Sequence, residues 1–416
     1  MLGTATTALA PFFPNAPTTM QTTSAADATG SSHLFRVRTI TAGVAMQSLG
    51  EAGRVEAALN ALLRSKTLFE ERGYQVQTIR VVTPSLLANA SPDQRKSALA
   101  DISRLDSLAA EHGAVLSIGS ILALDHAAPD LSSWAAEVSR ATRAANFSVT
   151  VAAQGRTSPS SAAAAAEIVA TLARVAPQGV ANFRFAAAAN VPPGTPFFPV
   201  ANHDGSDSLA IGLESPRLLR QAIANRSVEQ ATQSIRDTLD KAFAPVAALA
   251  DQCARTERRR FLGIDASPAP GMDSSIGEMI ETLTGTPFGS ASTLEACAAI
   301  TAALKQLSVP TCGYSGLMLP VLEDPVLARR AAEHRYGVNE LLLFSAVCGT
   351  GLDVVPLPGD TPGPVLARII RDVATMSVRL NKPLSARLFP VPGKAVGEEV
   401  AFDDPLLTKS VTLPVA

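Results

Sequence analysis

Short apolar runs and alanine-rich helical stretches alternate about ten times along this chain, which restricts it to an α/β fold with a largely parallel sheet. The strand candidates are Phe35–Val44, Gln75–Val82, Ala114–Ile121, Phe147–Ala152, Asn182–Ala188, Ser208–Leu213, Phe261–Asp265, Gly316–Val321, Leu341–Val347 and Ser385–Pro390. Most are rich in Val, Ile or Phe and bounded by Gly, Pro or Asp, as buried strands are. Helices are expected between them, near residues 50–72, 92–112, 132–145, 158–175, 216–252, 275–284, 292–307, 325–337 and 364–380. Ser91-Pro92, Ser215-Pro216 and Asp324-Pro325 each set a capping oxygen before a proline at the first helical position, where no N–H is required. Ten strands are too many for the eight-stranded (β/α)8 barrel.

The connection between the fifth and sixth strands breaks the rhythm. NVPPGTPFFPVANHDGSD, residues 190–207, has too many prolines for a helix or a central strand, so it cannot form an ordinary helical crossover. Such a connection can join two parallel half-sheets that run in opposite senses. Its Phe197 and Phe198 call for burial, and it delivers His203 and Asp204. The expected organisation is one domain, 33–416, made of two halves at about 33–189 and 208–400. A disordered leader rich in Ala, Thr, Ser and Pro is expected over residues 1–32, with Met20 offering a second start.

Composition narrows the function. A formal charge of −2 supplies no field for nucleic acid or an anionic membrane, and no apolar run is long enough for a membrane helix. Cys253, Cys297, Cys312 and Cys348 are widely spaced, without a metal-ligand pattern, and read as free thiols of a reducing compartment. The first 32 residues lack the basic and continuously apolar regions of a secretory signal. A cytoplasmic protein with a small-molecule substrate is expected. Self-association stays open, and no cofactor is specified.

Four connections are unlike plain linkers. In 190–207, His203 can act as acid, base or ligand, with Asp204 or Asp207 orienting its ring; the plainer alternative is a histidine bonded to loop backbone. TPFGSAST, 286–293, opens a helix with Gly289, Ser290 and Ser292, suited to a carboxylate or phosphate, though ordinary capping explains part of that pattern. CGTGLDVVPLPGDTPG, 348–363, offers Asp353 and Asp360 to substrate hydroxyls, amines or a cation, or to its own turn amides. PTCGYSGLMLP, 310–320, carries Cys312, a nucleophile only if its thiol is activated and otherwise a buried inert group. Serine-hydrolase, zincin and dinucleotide-binding signatures are missing.

Together the stretches FRVRTITAGV (35–44), PFFPVANHDG (196–205), LAIGLES (209–215), GIDASPAPG (263–271), GTPFGSAST (285–293), VCGTGLDVVPLPGD (347–360) and RLFPVPGKAVGEEVAF (387–402) resemble the family called domain of unknown function 711, or UPF0210. The resemblance covers roughly 35–414. It implies a fold similar to pyruvate formate-lyase and other glycyl radical enzymes: a ten-stranded α/β barrel of two five-stranded parallel halves set antiparallel. In those enzymes the inter-half connection carries a catalytic cysteine, opposed by a C-terminal glycine beside a tyrosine. Here the connection has no cysteine, and Gly393 and Gly397 lack a following tyrosine, so radical chemistry is expected to be lost.

The resulting expectation is an enzyme, most nearly a lyase, acting on a small carboxylate-bearing metabolite by polar acid–base steps. His203 would be the acid or base, with Asp204 beside it and Asp353 orienting substrate. Arg36, Arg38, Asp265, Ser290, Cys312, Asp360 and Lys394 complete the candidate substrate site. Arg36 and Arg38 alternate along a strand and point to one side; salt bridges to surface acids are their plainer reading. A non-catalytic metabolite-binding or regulatory protein is the competing reading. Metal-assisted hydrolysis or isomerisation is the third and has no ligand spacing behind it.

Overall fold

The computed structural model describes residues 34–203 and 205–415, so the expected leader and Asp204 lie outside the described residues. Five parallel strands form the first half: β1 (Arg36–Gly43), β2 (Val76–Val82), β3 (Ala114–Ser120), β4 (Asn146–Ala153), which carries the short hairpin partner β5 (Arg156–Thr157), and β6 (Phe185–Ala189). In the second half, β7 (Ser208–Glu214) pairs in parallel with β8 (Arg260–Asp265), and β9 (Gly351–Pro358) with β10 (Leu384–Val391). The halves meet at two antiparallel seams, β1 with β7 and β6 with β10.

The gap between β8 and β9 is filled by residues 310–321, an irregular tenth strand. Ile264 N–H donates to the Pro310 carbonyl at 2.8 Å, Cys312 N–H to the Ile264 carbonyl at 3.0 Å, and Val321 N–H to the Asp353 carbonyl at 3.2 Å. These parallel contacts close the sheet into a ten-stranded α/β barrel of two opposed halves.

The helices pack outside. They are α1 (Ala52–Glu71), α2 (Pro92–Glu111), α3 (Leu131–Ala141), α4 (Pro159–Leu172), α5 (Pro216–Ile223), α6 (Val228–Thr256), α7 (Ile276–Thr284), α8 (Thr293–Lys305), α9 (Pro325–Ala332), α10 (Val338–Ser345) and α11 (Gly363–Leu380). Ser91 caps α2 with a full capping box. Asp324 caps α9 by accepting from Val326 and Leu327 N–H at 2.9 and 3.1 Å. The expected helix over 216–252 is instead two, broken where Asn225 adopts φ 57°. A short hairpin, β11 (Glu399–Val400) with β12 (Ser410–Val411), ends the chain.

One strand assignment fails. Leu341–Val347 is not the ninth strand: its residues 341–345 belong to α10, whose first turn is closed by Gly337 N–H donating to Glu340 Oε2 at 2.7 Å. The strand is the next segment, β9, which the sequence reading treated as loop. A short apolar run has no periodicity to separate buried helix from buried strand. Gly351 then lets β9 begin hard against β10, since a Cβ there would lie 2.3 Å from the Ser385 carbonyl oxygen.

The helix-free connection behaves as its composition requires. It leaves β6 and returns to β7 at the same barrel mouth, where the first-half strands end and the second-half strands begin. Gly194 N–H bonds to the Asn202 carbonyl at 2.8 Å and Asn202 N–H to the Thr195 carbonyl at 3.2 Å, pinching it into a finger. The tip is Pro196–Val200, with a cis Phe198–Pro199 bond. Phe197 packs with Ala269 and Met318, Phe198 against Phe183, and Val200 against Ala186 and Ala188. Strand β6, FAAAA, and Gly212 leave room for the finger; a Cβ on Gly212 would lie 2.9 Å from the Phe197 ring. The apolar tip is thus stabilised by burial inside the barrel.

Candidate functional site

Above the fingertip, toward the opposite mouth, the interior is charged. Arg38 of β1, Arg80 of β2, Asp353 of β9 and Arg387 of β10 project from strands, Glu214 ends β7, and Glu323 follows the tenth strand. Arg387 Nη1 donates to Asp353 Oδ1 at 2.7 Å and to Glu323 Oε1 at 3.2 Å. Arg38 bridges Glu323 at 3.7 Å and Glu214 at 3.4 Å, while Arg36 reaches Glu214 at 3.4 Å and Asp273 at 2.5 Å. The two arginines of β1 therefore do share a side, and ion pairing to acids occupies both. Gln77 Nε2 donates to Glu214 Oε2 at 2.5 Å. Arg38, Glu323 and Asp353 retain 16%, 12% and 12% of their side-chain surface, so the cluster is not sealed.

Arg80 differs from its neighbours. It is buried, and its Nη1 donates to the Pro196 carbonyl at 3.2 Å, but no carboxylate is paired with it among the described residues. Its Nε has no acceptor among the described residues. The guanidinium carbon stands 5.5 Å from the centroid of the Phe198 ring, a cation–π contact at the fingertip. Burial, then the positive charges of Arg38 and Arg387, bring its pKa down to about 9, against the pull of Glu323. Burial likewise pushes the Glu323 carboxyl up, and the charge of Asp353 adds to this against the opposing Arg387 and Arg38. The site holds an incompletely compensated cation beside a carboxyl inclined to keep its proton.

His203 lies elsewhere. It is buried at the foot of the finger, and Gly205 N–H donates to its Nδ1 at 3.0 Å. Its ring abuts Gly43, at the far end of β1 from Arg38. Five residues of strand separate those levels, roughly 16 Å. The fingertip is therefore Phe197-Phe198, and His203 lies at the finger's foot. Beside His203, a cavity of about 10 Å³ lined by Thr41, Gly43, Thr195, Asn202 and Ser208 has room for a water molecule and nothing larger.

The remaining candidates separate by place. Asp265 is fully buried and saturated: it accepts from Ser267 N–H and Oγ at 3.1 and 2.6 Å, and from Tyr314 and Ser315 N–H at 2.8 Å each. Burial raises its pKa against those hydrogen bonds. It builds a turn and has no capacity left for substrate. Ser290 sits in the outer helical layer, where Phe288 N–H bonds Glu281 Oε1, Gly289 N–H bonds Thr293 Oγ1 and Ser290 N–H bonds the Pro287 carbonyl. Those amides are spent, so the turn offers no anion cradle. The Cys312 thiol is pushed up by burial and by Asp265, the reverse of activation. Asp360, exposed, and Lys394 lie on turns beyond β9 and β10, tied by Gly359 N–H donating to the Lys394 carbonyl at 2.9 Å. Of the candidates, Arg36, Arg38 and Asp353 belong to one network; Arg80, Glu214, Glu323 and Arg387 were missed. The signal for Arg80 and Arg387 was available, since VQTIRVV and LSARLFPV each set one arginine in a strand that is otherwise suited to burial.

Among the described residues no group of three or more His, Cys, Asp or Glu is arranged to hold a metal ion, and no helix is long and apolar enough to cross a membrane. The structure is that of an α/β barrel with an interior charged site above an inserted finger. The chain belongs to the family described as Uncharacterised ACR (DUF711), whose model matches residues 31–403. It is 30% identical to a UPF0210 protein of Pyrobaculum arsenaticum over 346 residues, covering 78% of this chain and 76% of that protein. A UPF0210 protein of Pyrobaculum islandicum is 28% identical over 369 residues, 83% of this chain and 81% of its own length.

Proposed function

We propose that the barrel is an enzyme for a small carboxylate-bearing metabolite, acting by proton transfer in the charged half of the interior. The observation that carries this reading is Arg80, a buried guanidinium without a carboxylate partner among the described residues. A substrate carboxylate supplies the missing anion, and Arg80 can engage it through a planar fork. Glu323 takes the acid–base role first assigned to His203, because its carboxyl is raised by burial and lies in the same cluster. Arg387, itself bonded to Asp353, holds Glu323 in place. A lyase step fits these parts. Glu323, as carboxylate, removes a proton from the carbon next to the substrate carboxylate. The C–H electron pair becomes a new double bond as a β-substituent departs with its own bonding pair. No thiol lies on the finger, in keeping with non-radical chemistry. The four free cysteines agree with a cytoplasmic setting.

A non-catalytic carboxylate-binding protein would use the same Arg80 and need no proton from Glu323. Both readings meet one experiment, a thermal-shift screen of small mono- and dicarboxylates on wild type, Arg80→Met and Glu323→Gln. The enzyme reading expects stabilisation of wild type, its loss in Arg80→Met, and binding without turnover in Glu323→Gln. Ligand stabilisation that survives Arg80→Met would refute the site. Turnover that survives Glu323→Gln would refute the acid–base assignment.

A further inference from the structure

Tyr314 enters the interior from the irregular tenth strand. It is 2% exposed and packs against Ala186 and Ala188 of β6 and Val200 of the finger. Among the described residues its hydroxyl makes no hydrogen bond of ordinary geometry. The Ser385 hydroxyl faces it but donates to the Thr350 carbonyl at 3.1 Å. Asp353 and Arg387 lie near enough to act on it electrostatically. Ser385 and Arg387 alternate on β10 and share a face, so the phenol sits about 7 Å along the strand from the level of Arg387. Buried tyrosine hydroxyls ordinarily find a partner, and an orphan lowers stability.

The chain nevertheless fixes this phenol in place with care. Asp265 Oδ2 accepts from Tyr314 N–H at 2.8 Å, and Lys305 Nζ donates to the Tyr314 carbonyl at 2.6 Å, so the backbone is held on both sides. Gly313, at φ 61°, admits no side chain, since a Cβ would lie 2.1 Å from Asp265 Oδ2. Asp265, Lys305 and Gly313 together commit an acidic side chain, a basic side chain and a left-handed backbone to one residue whose hydroxyl makes no hydrogen bond of ordinary geometry among the described residues. A packing role needs only a phenylalanine there.

We infer that Tyr314 is a ligand-contacting hydroxyl of the interior site, donating to an oxygen on the carbon skeleton of the small acid whose carboxylate Arg80 takes. The substrate class narrows to hydroxy- or oxo-carboxylates, with one end on the guanidinium and the oxygen substituent on the phenol. This step rests on the carboxylate reading above, and its test separates the two. Lactate and propionate, and malate and succinate, are matched pairs that differ in one hydroxyl. Wild type is expected to bind the hydroxy acid of at least one pair about tenfold more tightly, and Tyr314→Phe to lose that preference while retaining the deoxy acid. Because the hydroxyl makes no hydrogen bond of ordinary geometry among the described residues, Tyr314→Phe alone should unfold at the wild-type temperature or above it. A clearly lower unfolding temperature, or a hydroxy preference that persists in Tyr314→Phe, overturns the inference. Binding that needs Arg80 but shows no hydroxy preference overturns it too and leaves the carboxylate site standing. No binding of any of the four acids to wild type counts against both.

Discussion

Arg387 is the residue whose removal best tests the electrostatic account of the interior. Its side chain is 6% exposed, and its guanidinium serves Asp353 at 2.7 Å, Glu323 at 3.2 Å and the Phe183 carbonyl at 3.1 Å, while lying 4.9 Å from the Phe183 ring centroid. Arg387→Met keeps most of the volume and removes the charge, leaving two acids in a low-dielectric interior. Removing one partner of a buried pair costs about 3–5 kcal/mol. Part of that cost can be relieved by protonation. Glu323 is already pushed up by burial, with Arg387 the largest group holding it down, so in the variant it rises further. A carboxyl whose folded pKa exceeds its unfolded value binds more protons in the native state, so the variant loses stability as pH rises through that window. Urea unfolding of both proteins is the assay. The deficit should be about 3–5 kcal/mol near pH 8 and smaller near pH 5. An equal deficit at both pH values would show that the acids are better solvated than the geometry indicates, and the argument would fail.

Two further perturbations probe the frame around the site. Asp324 caps α7 as well as α9, because Ile276 and Gly277 N–H also bond its carboxylate, at 2.6 and 3.2 Å, and Ser275 Oγ donates to it at 2.6 Å. Asp324→Ala should therefore remove two caps and cost about 2–4 kcal/mol in chemical unfolding; a loss below about 1 kcal/mol would deny the shared cap. At the foot of the finger, a methyl on Gly43 would lie 2.4 Å from Ser208 Oγ and 3.0 Å from the His203 ring. Gly43→Ala should cost about 1–3 kcal/mol and shift the His203 ring resonances in NMR, whereas unchanged resonances would mean that the ring does not rest on β1.

The barrel was readable because strand–helix alternation and helix-free connections are local patterns, and the finger stood out for its prolines and paired phenylalanines. The ninth strand was misplaced for a related reason: LLLFSAV and GLDVVPLP are both apolar, and what separates them is the packing of Gly351 against β10. The charged site was only partly visible. Loops were searched for chemistry, yet Arg80, Asp353 and Arg387 lie on strands, and their grouping depends on which strands become neighbours across the barrel. Asp265 looked like a substrate group because an aspartate at a strand end so often is; that it spends its carboxylate on the Tyr314 turn is a long-range fact, 49 residues apart. His203 was conspicuous by type, and only the course of the finger shows that its tip and its foot face different halves of the barrel.

The finger begins and ends at one mouth, and that has a consequence for traffic. The chain itself stoppers the barrel from that side, with Thr195, Ala201 and His203 each at most 7% exposed. The other mouth is narrowed by the C-terminal stretch, where Val400 and Leu407 pack with Phe389 and Leu322. With the finger filling one mouth among the described residues, a molecule held above the fingertip would arrive and depart through the other. Whatever leaves must clear it before the next molecule enters, so a product of the interior would compete directly with its own precursor.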